Sequence, residues 1–143
     1  LQSNSKYRAE IDQFGDGNTA WIEQSGWGQI ASITQGCEYA PATGNTAVIR
    51  QLSATGSQAY INQTGESNLA SITQTASATF GLIDQVGNSN QANLNLNAAG
   101  AKGVIFQKGD YNTTNLTLNL ALPFPITVSQ LGSNITTNLT FSK

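Results

Sequence analysis

The chain has 143 residues, no histidine, one cysteine, and six Lys and Arg against eight Asp and Glu, for a net charge of −2. Charged residues make up 10% of the chain, far below the quarter or so of an ordinary soluble domain. This excludes a basic footprint for nucleic acid or anionic membrane, and a single cysteine excludes an internal disulfide. One domain is the expectation at this length, and no run approaches the roughly 20 apolar residues of a transmembrane helix.

Residues 1–8 follow no pattern and read as an N-terminal segment, either flexible or laid along a neighbouring copy. No signal peptide is visible, and a start at Leu1 fits either a processed chain or an arbitrary boundary. Over residues 9–143 the pattern Ile-x-Gln-x-Gly-x-x-Asn-x-Ala-x-Ile-x-Gln recurs six times at a spacing of about 22 residues, the mark of a solenoid or array. Copy one is Ile11, Gln13, Gly15, Asn18, Ala20, Ile22 and Gln24. Copy two opens with Ile33 and Gln35, is interrupted over 36–44, and resumes with Asn45, Ala47, Ile49 and Gln51. Copy three is Ile61, Gln63, Gly65, Asn68, Ala70, Ile72 and Gln74. Copy four is Ile83, Gln85, Gly87, Asn90, Ala92 and Leu94, with Leu96 in the last glutamine's place. Copy five is Ile105, Gln107, Gly109, Asn112, Thr114, Leu116 and Leu118. Copy six is Val128, Gln130, Gly132 and Asn134, then Leu139 and Phe141 after a one-residue slip.

Each copy alternates with period two on both sides of the Gly-x-x-Asn, which is a strand signature. Every copy therefore reads as strand–turn–strand. Asp12, Glu23, Arg50 and Asp84 fall on the outward face and the repeat residues on the inward one. Glycine supplies the positive φ of a sharp reversal and asparagine bonds the turn backbone. Six coils stacked about 4.8 Å apart would make an all-β solenoid column of roughly 29 Å. A primary amide is both donor and acceptor, so inward Gln and Asn one rung apart can bond along the stack as a ladder.

This motif resembles the curlin repeat of bacterial curli subunits, and the stretch Ile61 to Gln74 is especially similar to repeats of the minor, nucleating curlin. The resemblance covers Ala9 to Phe141. It implies a secreted, amyloid-like extracellular fibre at the cell surface, with roles in biofilm matrix and adhesion. It also implies head-to-tail stacking of coils and export through a dedicated outer-membrane pore. The partners it implies are other copies of the chain, a related curlin subunit, and secretion and chaperone machinery. Three departures stand out: the insertion with Cys37, the apolar Leu96, Leu118 and Phe141, and Pro123 and Pro125 between coils five and six, where they must lie in a bend. Whether the chain is a major subunit, a nucleator or a divergent relative stays open.

Other function classes fare worse on the same residues. No histidine, Ser-His-Asp set or metal-ligand cluster supports catalysis, and no cofactor or metal is expected. Gly15-Asp-Gly17 sits between strands and opens no helix, so it is not a phosphate loop. A monomeric ligand- or ice-binding solenoid would need a regular outward threonine array, and only Thr113, Thr117 and Thr140 approach one. A non-polymerising surface adhesin would need capped ends, whereas the first and last copies carry the same kind of inward residues as the interior ones. Cys37 is a fibre cross-link, a surface thiol or a passive loop residue. Trp21 and Trp27 either join filaments laterally or pack locally. Of five Asn-x-Ser/Thr sequons, the outward Asn62, Asn115 and Asn138 are the candidate glycan sites, while Asn112 points inward and Asn134 is the fifth.

Overall fold

The computed structural model describes residues 7–143. The N-terminal segment thus lies almost wholly outside the described residues, and strand pairing begins at its last member, Arg8. Twelve strands follow: β1 Arg8–Gln13, β2 Thr19–Trp27, β3 Ile30–Gln35, β4 Thr46–Thr55, β5 Gln58–Thr64, β6 Leu69–Gln74, β7 Phe80–Val86, β8 Gln91–Leu96, β9 Lys102–Lys108, β10 Thr113–Leu118, β11 Ile126–Leu131 and β12 Thr136–Phe141. Odd strands form one six-stranded sheet in the order β1-β3-β5-β7-β9-β11, and even strands form the other, β2 to β12. Every pairing is parallel, because each coil repeats the direction of the one before. The chain is a β-solenoid of six strand–turn–strand coils, as the repeat predicts.

The sequence repeat sets the register. Ile11, Ile33, Ile61, Ile83, Ile105 and Val128 sit directly over one another, and so do Gln13, Gln35, Gln63, Gln85, Gln107 and Gln130. On the even sheet Ile22, Ile49, Ile72, Leu94, Leu116 and Leu139 form the facing column. The interior strands alternate buried and half-exposed residues, and the buried ones meet in a single apolar core between the two sheets. Volume is traded across that core. Where Leu94 and Leu96 broaden the even sheet, Gly81 and Gly103 replace the alanines of the odd sheet. A Cβ on Gly103 would stand 2.6 Å from Leu94 Cδ1, closer than packed carbons come.

The turn joining the two strands of a coil imposes a stricter demand. A Cβ on Gly87 would lie 2.1 Å from the carbonyl oxygen of Gly109 directly below, and one on Gly65 2.1 Å from that of Gly87. The residue before the asparagine is left-handed as well: Gly17 and Gly44 in the first two coils, then Ser67, Ser89 and Tyr111 at φ of 55–57°. The insertion 36–44 leaves this geometry intact. Cys37 and Ala40 exchange backbone hydrogen bonds of 3.0 and 3.1 Å, closing the excursion on itself, and Ala42 returns to bond Phe14 O at 2.8 Å.

The sixth coil corrects one expectation. Asn134 is exposed, with φ 60°, in the left-handed slot that Tyr111 occupies one coil earlier. Ile135 takes the asparagine slot instead, and its N–H bonds Asn112 Oδ1 at 3.0 Å. There is no one-residue slip: Thr113 pairs with Thr136 and Leu118 with Phe141. The motif misleads here because an asparagine also suits the left-handed position.

Because the Gly87 Cβ would meet backbone and not a movable side chain, Gly87→Ala is expected to destabilise the fold by about 3 kcal/mol. Urea unfolding followed by circular dichroism checks this, with Gly56→Ala, where nothing stands within 4 Å of the added carbon, as the comparison for left-handed strain alone.

Candidate assembly site

The candidate site is the set of inward amide columns and the two sheet edges where those columns stop. Along the odd sheet Gln13 Nε2 donates to Gln35 Oε1 at 2.7 Å, Gln35 to Gln63 at 2.9 Å, and Gln63 to Gln85 at 2.9 Å. Gln85 then donates to Gln107 and Gln107 to Gln130, both at 2.8 Å. Each amide has a second N–H, which crosses to the even sheet: Gln35 to Thr19 O, Gln63 to Thr46 O and Gln85 to Leu69 O, all at 3.1 Å. One side chain thus ties its coil both to the next coil and to its facing strand. The even sheet repeats the device over three coils, Gln24 to Gln51 to Gln74 at 2.8 Å each, until Leu96 ends that column.

The asparagines act differently from a simple amide ladder. Each Oδ1 accepts the backbone N–H one coil on: Asn45 N to Asn18, Asn68 N to Asn45, Asn90 N to Asn68 and Asn112 N to Asn90, at 2.7–3.0 Å. Each Nδ2 donates to a turn carbonyl of the following coil, as from Asn68 to Gly87 O and Asn90 to Gly109 O, both 2.7 Å. The shorter side chain keeps asparagine near the turn backbone, so it staples successive turns. Ala42 O fills the glycine carbonyl's place for Asn18, at 2.9 Å.

The glutamine columns share one polarity, with side-chain donors facing the C-terminal coil. The asparagine donors to the turn carbonyls follow it, while Asn90 Nδ2 in addition reaches back to Asn68 Oδ1 at 3.1 Å. The two open edges therefore differ. On the β1/β2 edge, Ile11 is 44% exposed although its counterparts Ile33 to Ile105 are fully buried, because no described strand covers it. Gln13 and Gln24 each donate to the coil below, and among the described residues no donor reaches either Oε1. On the β11/β12 edge, Gln130 Nε2 satisfies itself on Thr113 O, Ile135 O and Thr137 Oγ1 at 3.0–3.1 Å. Ile135 and Phe141 stand there in the asparagine and second-glutamine slots. Gly15, Gly65, Gly87, Gly109 and Gly132 each stand at positive φ between the two strands of a coil.

The outer surface carries the charge. Glu23 and Arg50 face each other across adjacent coils at 3.5 Å and are about half exposed, an arrangement of little energetic weight. Asp84 is the exception, lying in a shallow recess of about 380 Å³ with Val86, Phe106, Lys108, Ser129 and Leu131. Burial there pushes its carboxyl above the ordinary value. Among the described residues no three His, Cys, Asp or Glu side chains gather as a metal site. Cys37 is exposed, as are Trp21 and Trp27.

Sequence reasoning missed the outer amides. Asn93 donates to Asn115 at 2.8 Å and Asn115 to Asn138 at 2.7 Å, while Asn97 donates to Asn119 at 2.9 Å. The signal was present as asparagine recurring at outward positions with the period of the repeat.

A raised carboxyl pKa means folding favours the protonated form, so Asp84 weighs against stability as pH rises through its folded-state value. Asp84→Asn is expected to raise the urea midpoint at pH 7 and to have no such effect once pH falls below the ordinary carboxylate range. An equal effect at both pH values would contradict the desolvation account.

A family model described as the curlin associated repeat matches residues 8–36, which span the first coil and the opening strand of the second. No curated protein and no solved structure matches the chain.

Proposed function

From the premise that this chain belongs to the curlin family, we propose that it is a structural subunit of an extracellular amyloid-like fibre, growing by head-to-tail stacking of solenoids. The observation that carries the reading is the amide column of the odd sheet. It runs through all six coils with one polarity. It stops at the β1 edge on Gln13 Oε1, an acceptor unmet among the described residues. At the β11 edge it stops on Gln130 Nε2, which would exchange its bonds to Ile135 O and Thr137 Oγ1 for a further rung. Stacking β1 of one copy on β11 of the next would set Gln13 Oε1 against Gln130 Nε2 and Ile11 against Val128, in the register the interior coils keep. Such a joint is heterologous, and heterologous contacts that do not close make open filaments. Exposed parallel edges of this length are usually guarded in monomeric proteins.

The even sheet would join less well. Phe141 would cover Gln24 Oε1 without a donor, and Ile135 offers no acceptor to the Asn18 N–H. The odd sheet and the apolar columns therefore carry the joint. In this reading the chain is a scaffold and adhesive component of a biofilm matrix, secreted to the cell surface. It has no catalytic role, and its partners are other copies, a related curlin subunit and an export apparatus.

Gln13→Ala removes the acceptor on the exposed edge together with the donor to Gln35 Oε1 at 2.7 Å. Its urea midpoint is therefore measured alongside, and elongation is compared where both monomers are fully folded. Seeded elongation followed by light scattering is expected to slow about tenfold, the equivalent of one hydrogen bond of roughly 1.4 kcal/mol. Unchanged elongation would remove the odd-sheet column from the joint.

A further inference from the structure

Resting on the fibre reading, we propose that the outward face of the even sheet over coils three to six is a lateral contact, and that its occupant is the same face of a second copy in a neighbouring filament. Outward positions of β6, β8, β10 and β12 hold no charged residue, and Leu69 alone is apolar. The charged pair of this sheet, Glu23 and Arg50, stands in the first two coils. The rest is threonine and asparagine, with one serine and one glutamine.

Three properties make this face its own complement. An amide carries two donors and an acceptor, so a surface of amides can satisfy an identical surface opposite. The ladders Asn93–Asn115–Asn138 and Asn97–Asn119 fix those side chains in one rotamer along the axis. Each laddered amide still has one N–H left to reach outward, and little conformational freedom left to lose on contact. Lacking charge, two such faces meet without repulsion, as in the paired sheets of steric zippers.

Size decides when the contact forms. Four strands about 4.8 Å apart and six residues long span roughly 400 Å² per copy, half the ~800 Å² per partner of a stable interface. A free subunit should not dimerise through it. Along a fibre the same patch recurs once per subunit, and the contacts of two parallel filaments then act together.

The test assembles the full chain as wild type, Asn115→Lys, Thr73→Lys and the opposite-face control Asn62→Lys, and images the filaments by negative-stain electron microscopy. Wild type and Asn62→Lys are expected to form side-by-side bundles. Asn115→Lys and Thr73→Lys are expected to form single filaments that elongate within about twofold of wild type. Among the described residues Thr73 makes no side-chain hydrogen bond to lose, so it decides the matter if Asn115→Lys fails to fold. Bundles in the Thr73→Lys filaments, or single filaments in wild type, overturn the lateral contact and leave the fibre intact. If none of the four forms filaments, the fibre reading falls and this inference with it.

Discussion

A glutamine amide enclosed between two sheets has two N–H groups and a carbonyl to place, and an unplaced one costs about 1–3 kcal/mol. In this protein the amide lies above a copy of itself, one rung away, and within reach of the carbonyl of the first residue of the facing strand. One N–H goes down the axis and the other across the core, and the carbonyl receives the amide above. Neither bond survives a shift of register by one residue, because parity would turn the whole column to solvent. The buried polar columns thus enforce the register that the apolar columns alone would leave free to slip between Ile, Ala and Leu.

The turns answer to the same constraint. Coils one rung apart bring turn carbonyls within about 2 Å of where a glycine's Cβ would be, so the glycine column follows from the stacking distance. Asparagine completes it by holding the next coil's backbone N–H and turn carbonyl together. Once those contacts exist, a long excursion between them is tolerated. The segment with Cys37 leaves the stack, closes through Cys37 and Ala40, and re-enters at Ala42 with the coil below undisturbed. Loop length adds little to the closing entropy.

Much of this was legible because the repeat writes its own register. Residues one period apart in sequence are neighbours in space, so coil number, strand direction and the inward columns could be read directly, including the split second coil. The sixth coil was not legible: Asn134 and Ile135 both fit a plausible alignment, and only the pairing of Thr136 with Thr113 separates them. The left-handed Ser67, Ser89 and Tyr111 carry no compositional signal, since the turn imposes φ on whatever residue stands there. The exchange of Ala for Gly81 and Gly103 opposite Leu94 and Leu96 is a relation across the core, invisible to a reading that follows one strand at a time.

The central claim is that the stacking of coils within one chain continues between chains. X-ray fibre diffraction from aligned material, grown from the purified chain in plain buffer, tests it most directly. The account predicts unbranched filaments with a sharp meridional reflection at about 4.7–4.8 Å, the strand spacing along the axis. A β-rich monomer that stays monodisperse at high concentration and gives no such reflection would contradict it, and would leave the solenoid as a closed unit.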